Sequence, residues 1–329
     1  MSWSHIKTVL ILLLLAVNVY LVYAISSQYS VTARLSPEEI SEASRLLGND
    51  GIVVPDGVLS GKRPDLKVWR STFQESGGGR EAILSRLFGS AAYASHMTAS
   101  GIEVSVEGVG AVSFSDSDPL YIAYISEECE YDGGLDGALS DTARDGQVSW
   151  MRRANLANQL EIFLAGGEGS TLSSDEKRAG VEVDQAVYDK ENRRYIAHFI
   201  QKIDGCVIDG CEGYFSVKND KVDYFKGSAV LLSGPSAYKA ELLDEINVLF
   251  LELDDMLGVA DAPQGVTAAA PAGQPSRTVT GTSPVYCVIW NSDRSEFYLI
   301  PSWRISYRYA DGETGESIRN AVNGSVYLR

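Results

Sequence analysis

The chain has 329 residues and a mass of 35.7 kDa, with 45% hydrophobic and 22% charged side chains. That composition is globular, with material for one large core or two modest ones, and it excludes wholesale disorder and collagen-like repetition. Lys and Arg total 28 against 44 Asp and Glu, a net charge of −16, which argues against nucleic acid or an anionic lipid surface as the main ligand because both are bound through clustered positive charge. Four Cys in this length do not define a disulfide scaffold.

Thr8 to Ile25 reads TVLILLLLAVNVYLVYAI, 18 residues without a charge, Gly or Pro. At about 1.5 Å of rise per residue such a stretch nearly spans a bilayer core of roughly 30 Å, and it predicts a single membrane helix over 8–25. Lys7 is the fixed positive charge before it, which places residues 1–7 in the cytoplasm and the acidic bulk of the chain outside the cytoplasm. A cleaved signal peptide is the competing reading, with Ala24-Ile25-Ser26 as its cleavage site; the length of the apolar run favours an anchor. Asn18 and Tyr20 stand inside the span, and an amide in hydrocarbon seeks a partner, so the pair marks a candidate transmembrane contact, the alternative being that Asn18 bonds a backbone carbonyl or reaches water near the outer leaflet.

Ser36-Pro37-Glu38-Glu39 is a capping box with Pro at the first helical position, followed by an apolar stripe of Ile40, Ala43, Leu46 and Leu47. Gly51 to Val54 then reads as a turn and strand. Gly77-Gly78-Gly79 precedes a helix over Arg80 to Phe88, but without the Lys-Ser/Thr of a phosphate loop it reads as a connector. Ile102, Val104 and Val106 alternate, as do Val112 and Phe114, and with Tyr121 to Ile125 they predict an antiparallel sheet. Glu127 to Gly146 is an acidic, glycine-rich loop by composition, and Ser149 caps a helix carrying Leu156, Leu160, Phe163 and Leu164.

Tyr195 to Leu232 reads as a three-strand meander, with strands over Tyr195–Ile203, Gly213–Lys218 and Val222–Leu232 and Asn219-Asp220 as a tight turn. Ser236 is the expected cap of the longest helix after the membrane span, with Leu242, Ile246, Leu249, Leu253 and Met256 at helical spacing. Val259 to Ser283 holds six Ala, three Pro and three Gly with no aromatic residue, Leu or Ile, the composition of a mobile linker. Strands follow over Val285–Trp290, Glu296–Ile300, Trp303–Tyr309 and Ser325–Leu328. The expected fold is therefore α+β: an N-terminal transmembrane helix, then two related helix-plus-antiparallel-sheet units over 33–148 and 149–329, the second carrying the flexible segment 259–283.

The chemistry of the side chains points away from catalysis. HExxH, GxSxG and Walker patterns are absent from the sequence, and no cofactor or metal site is expected. His198, in mid-strand, reads as a core histidine. Cys206 and Cys211 bracket a short segment between two expected strands and are a candidate hairpin disulfide, with free thiols the alternative. Glu252, Asp254 and Asp255, and separately Asp311, Glu313 and Glu316, read as solvated faces. Trp303, Tyr307 and Tyr309 form an aromatic strand face, explained either by sheet packing or as an exterior partner surface.

Trp3-Ser4-His5-Ile6-Lys7-Thr8 running into an apolar helix resembles the start of the YycI (WalI) family, as does Leu35 to Val54. Tyr298 to Ile305 and Arg319 to Val326 resemble the hairpin of YycI and PepSY-like domains, a Pro-x-Trp strand followed by Asn-Ala-x-x-Gly. The resemblance implies a membrane-anchored, non-enzymatic regulator of a WalK (YycG)-like sensor histidine kinase governing cell-wall metabolism. Its implied partners are that kinase and a YycH-like protein, with a second copy of the chain as a further candidate. A PepSY-like domain that binds or inhibits an exported peptidase is the alternative reading.

Overall fold

The computed structural model of the chain describes residues 35–61, 65–72, 78–129, 139, 148–165, 179–230, 236–257, 277–292 and 296–328. In chain order the first elements are α1 (Pro37–Asn49), β1 (Ile52–Val53), β2 (Lys67–Thr72), α2 (Gly78–Phe88), β3 (Ala94–Thr98), β4 (Gly101–Val106), β5 (Gly110–Ser115) and β6 (Tyr121–Ser126). Next come α3 (Trp150–Ala165), β7 (Gly180–Asp189), β8 (Arg194–Ile203), β9 (Cys206–Lys218), β10 (Lys221–Ser228), β11 (Ser236–Lys239) and α4 (Glu245–Leu257). The last are β12 (Arg277–Trp290), β13 (Glu296–Tyr309), β14 (Thr314–Asn320) and β15 (Val326–Leu328).

The chain segregates into two compact units, each discontinuous in sequence. The first comprises Met1–Asp65, Glu241–Ser283 and Trp303–Arg329, and the second Leu66–Ala240 and Pro284–Ser302. The expected units 33–148 and 149–329 are each continuous in sequence, whereas the observed units interleave, with two of their boundaries in the middle of β12 and β13.

In the first unit, α1 begins as its capping box dictates: Glu39 N–H donates to Ser36 Oγ at 3.1 Å, and Ser36 N–H donates to Glu39 Oε2 at 2.7 Å. β1 pairs in parallel with the start of β12, Ile52 beside Arg277. Leu47, Ile52, Leu249, Val279, Ile305 and Tyr307 close one core, each no more than 1% exposed. Trp303 belongs to it as well and donates its indole N–H to the Leu243 carbonyl at 2.9 Å.

In the second unit the strands follow the order β11-β2-β13-β12-β9-β10-β6-β5-β4-β3, curled as a half-barrel, with β8 and β7 branching from β9. The β4–β5–β6 ladder is antiparallel and in register, so Val104, Val112 and Tyr124 form one cross-strand row and Ile102, Phe114 and Ile122 another. Leu84 and Phe88 from α2 and Leu156 and Leu160 from α3 pack on that apolar face, together with Phe199, Phe215 and Phe225. Two turns have left-handed central residues: Asn219 and Asp220 (φ 53° and 60°), and Asp204 and Gly205 (φ 51° and 80°). Positive φ at both positions is the type I′ geometry that matches strand twist.

Several expectations are corrected here. Among the described residues the fold is mostly β, 51% strand against 22% helix, rather than the expected α+β arrangement of paired helix-plus-sheet units. No helix among the described residues is long and apolar enough to cross a membrane, and Thr8–Ile25 lies outside the described residues. Ser236 starts a strand paired with β2, and Asp244 caps α4, its carboxylate accepting the Asn247 N–H at 2.9 Å. The longest described helix is α3, with 16 residues, rather than α4. Arg277–Ser283, read as linker, is the first half of β12; the rest of that segment lies outside the described residues, as does nearly all of the acidic loop.

Candidate functional site

Two places bear on function. The first is a buried ionic cluster in the first unit. On α4, Glu252 falls three residues after Leu249 and four before Met256, so it shares the apolar stripe rather than the expected solvated face, and it is 3% exposed. Its Oε1 accepts from Arg277 Nη1 at 2.9 Å, and its Oε2 accepts from Arg319 Nε at 2.7 Å and Ser317 Oγ at 3.0 Å. Arg319, itself buried, also donates to Asp255 Oδ2 at 2.6 Å and to the Gly324 carbonyl at 3.1 Å. One carboxylate thus ties α4 to β12 and β14 through charge-assisted bonds.

Arg277 lies over the rings of Tyr307 and Tyr309, 5.6 and 5.4 Å from their centroids. These groups border a cavity of about 70 Å³ together with Asp255, Met256, Glu316 and Ser317. That volume is well under the roughly 300 Å³ at which small-molecule sites begin. Tyr307 is 1% exposed and its hydroxyl has no partner among the described residues. Burial, then the nearby Glu252 carboxylate, pushes its phenol well above the ordinary value.

The expected aromatic partner surface is therefore internal. Trp303 and Tyr307 are core residues and Tyr309 is half-buried against Arg277, because the inward face of β13 packs on α4. Cys206 and Cys211 are both free. They sit in a single strand, β9, Cys206 paired with Ile203 and Cys211 within the irregular stretch between Val207 and Glu212, because Asp204-Gly205 rather than the segment between them makes the hairpin turn. Burial pushes the Cys211 thiol far up, which keeps it protonated and unreactive. His198 is half-buried and its Nδ1 stands 2.7 Å from Asp184 Oδ1. Asn18 and Tyr20 lie outside the described residues. Among the described residues, no group of three or more His, Cys, Asp or Glu side chains is placed to hold a metal ion.

The second place is strand β3, which the sequence reading did not find. Its residues, Ala-Ser-His-Met-Thr, lack the β-branched alternation that marks a half-buried strand, and all five are exposed. It is the terminal strand of the sheet order, pairing with β4 from Ala94↔Ser105 to Thr98↔Gly101. Thr98 and Gly101 flank a two-residue turn and so form a hydrogen-bonded pair. Alternation then turns the N–H and C=O of Ser95 and Met97 outward, where no described strand meets them.

The other edge strands among the described residues are blunted. β1 and β15 have two and three residues, and β11 has four and ends in Lys239. β7 has a register shift and carries Glu182, Asp184 and Asp189. Shortness, charge and bulges are the usual defences against unwanted pairing. β3 has no Lys, Arg, Asp or Glu, no Pro and no register shift, and Met97 on it is 72% exposed.

Comparison with protein-family models finds no match, and none is found among curated proteins.

The ionic cluster makes two measurable demands. Glu252→Ala leaves Arg319 buried without its main partner and should cost about 3–5 kcal/mol in chemical denaturation, whereas replacing Glu252 and Arg319 together with Leu should cost less than the single change. The raised phenol of Tyr307 sets a pH dependence. Below the ordinary value of 10 the hydroxyl is protonated folded or unfolded; above it the unfolded chain ionises first, so stability falls as pH rises. Denaturation midpoints between about pH 9 and 11 should decline less steeply in Tyr307→Phe than in the parent chain, and a parallel decline would refute the assignment.

Proposed function

We propose that the chain is a non-catalytic extracytoplasmic regulator that works through protein contacts, and that the open edge of β3 receives a strand from its partner. The observation that carries this is the undefended β3 edge, with outward backbone groups at Ser95 and Met97 beside an exposed methionine. Strand addition uses such an edge because main-chain hydrogen bonds give affinity and alternate side chains give selectivity.

The pathway is supported by sequence. Trp3 to Thr8, Leu35 to Val54 and the Tyr298–Ile305 and Arg319–Val326 stretches resemble YycI, whose partners are a WalK-like sensor kinase and a YycH-like protein. The uncharged stretch Thr8–Ile25 supports export of the body of the chain. In this reading the acidic exterior body biases the kinase between two signalling states. A differential contact of about 1.4 kcal/mol shifts such an equilibrium tenfold.

Ser95→Pro tests the reading, because proline there removes an outward N–H while leaving the β4 ladder intact. The variant should fold with near-parental stability yet lose co-purification with the kinase or YycH-like partner and lose regulation of the kinase. Met97→Lys, which charges the same edge, should do likewise. Full association of both variants would overturn the proposal.

A further inference from the structure

The row of side chains that ends at Met97 identifies what kind of strand β3 accepts. Across the ladder, Ile122, Phe114, Ile102 and Met97 stand directly beside one another on one face. Ile122 is 5% exposed and Phe114 6%, Ile102 is half-buried, and Met97 is 72% exposed. The neighbouring row runs Tyr124, Val112 and Val104, all buried, and ends at exposed Ser95. The apolar face of the sheet thus continues one strand beyond its cover and stops at the edge. An added strand with apolar residues on that face would extend both rows and cover Met97.

The opposite face of the same hairpin has different chemistry. It presents Ala94, His96 and Thr98, with Glu103 of β4 beside His96 and its Oε1 3.5 Å from the imidazole Nε2. Glu103 is the one fixed charge between Ala94 and Val106, and the chain as a whole carries −16. An incoming strand would lie two strand spacings from Glu103, about 10 Å, which a Lys or Arg side chain bridges and a short polar side chain does not.

We infer that β3 binds an extended partner segment of alternating pattern, with apolar residues toward Met97 and Lys or Arg toward His96 and Glu103. This rests on the reading of β3 as the partner-binding edge. A second copy of the chain fits less well: its own β3 has no fixed positive charge to place opposite Glu103, and both copies carry the same acidic excess.

The test uses the full-length chain and three fluorescent peptides read by anisotropy. One alternates Val and Lys, one alternates Val and Glu, and one has the Val/Lys composition with the alternation scrambled. The alternating Val/Lys peptide should bind at least tenfold more tightly than either of the others. Its affinity should fall at least tenfold in Met97→Lys and severalfold in Glu103→Gln, and should weaken with salt. Equal binding of the Val/Lys and Val/Glu peptides, both lost in Ser95→Pro, would overturn the basic preference while leaving the edge reading standing. Val/Lys binding indifferent to Ser95→Pro and Met97→Lys would mean general attraction to an acidic protein and would overturn the inference. So would failure of all three peptides to bind, or self-association of the chain that Ser95→Pro abolishes.

Discussion

A strand in a sheet carries hydrogen-bonding groups on both sides, and at the edge one side has no ladder to enter. A chain built so largely of strands must deal with that repeatedly. Here the solutions differ from edge to edge: β1 and β15 are too short to template a neighbour, Lys239 guards β11, and the acids and register shift of β7 spoil its pairing. β3 lies at the end of a ladder whose apolar rows are well buried three strands deep and uncovered at the last. It therefore combines a fixed register with a hydrogen-bonding side that no described strand occupies, the pairing of properties that strand addition requires.

Polar groups elsewhere are arranged for the opposite purpose. Glu252 is enclosed by Arg277, Arg319 and Ser317, and Arg319 reaches on to Asp255 and the Gly324 carbonyl. In the second unit Arg194, 1% exposed, stands 3.2 Å from Asp223, which also accepts from Ser216. Removing one partner from such a pair is costly because the other stays buried and charged, which fixes α4 against its strands more by penalty for misplacement than by net attraction. The first unit is thus locked from within, while β3, exposed on both faces, has few contacts to hold it and belongs to the low-stability end of its fold.

What sequence made legible follows from which forces are local. The capping box at Ser36, the Asn219-Asp220 turn and the alternation from Ile102 to Ile125 are each decided within a few residues and appear in place. Asp204-Gly205 carries the same turn signal as Asn219-Asp220, and it starts β9 at Cys206 rather than at the expected Gly213, which places both cysteines in one strand. The average composition of the Ala/Pro segment conceals the strand residues Arg277 to Ser283 at its end. The burial of Glu252 is not a local property, because its partners lie 25 and 67 residues away; its position within the apolar stripe of α4 is the one local sign of it. β3 has no pattern of its own; its strand character comes from pairing with β4, a tertiary effect that propensity does not carry.

Hydrogen exchange at individual amides addresses the edge directly, because it distinguishes N–H groups held in a ladder from those that face outward. In the free full-length chain the amides of Ser95 and Met97 should exchange orders of magnitude faster than those of His96 and Thr98, and they should become protected when the kinase or YycH-like partner binds. Protection of Ser95 and Met97 already in the free chain, or exchange unchanged by a bound partner, would contradict the account.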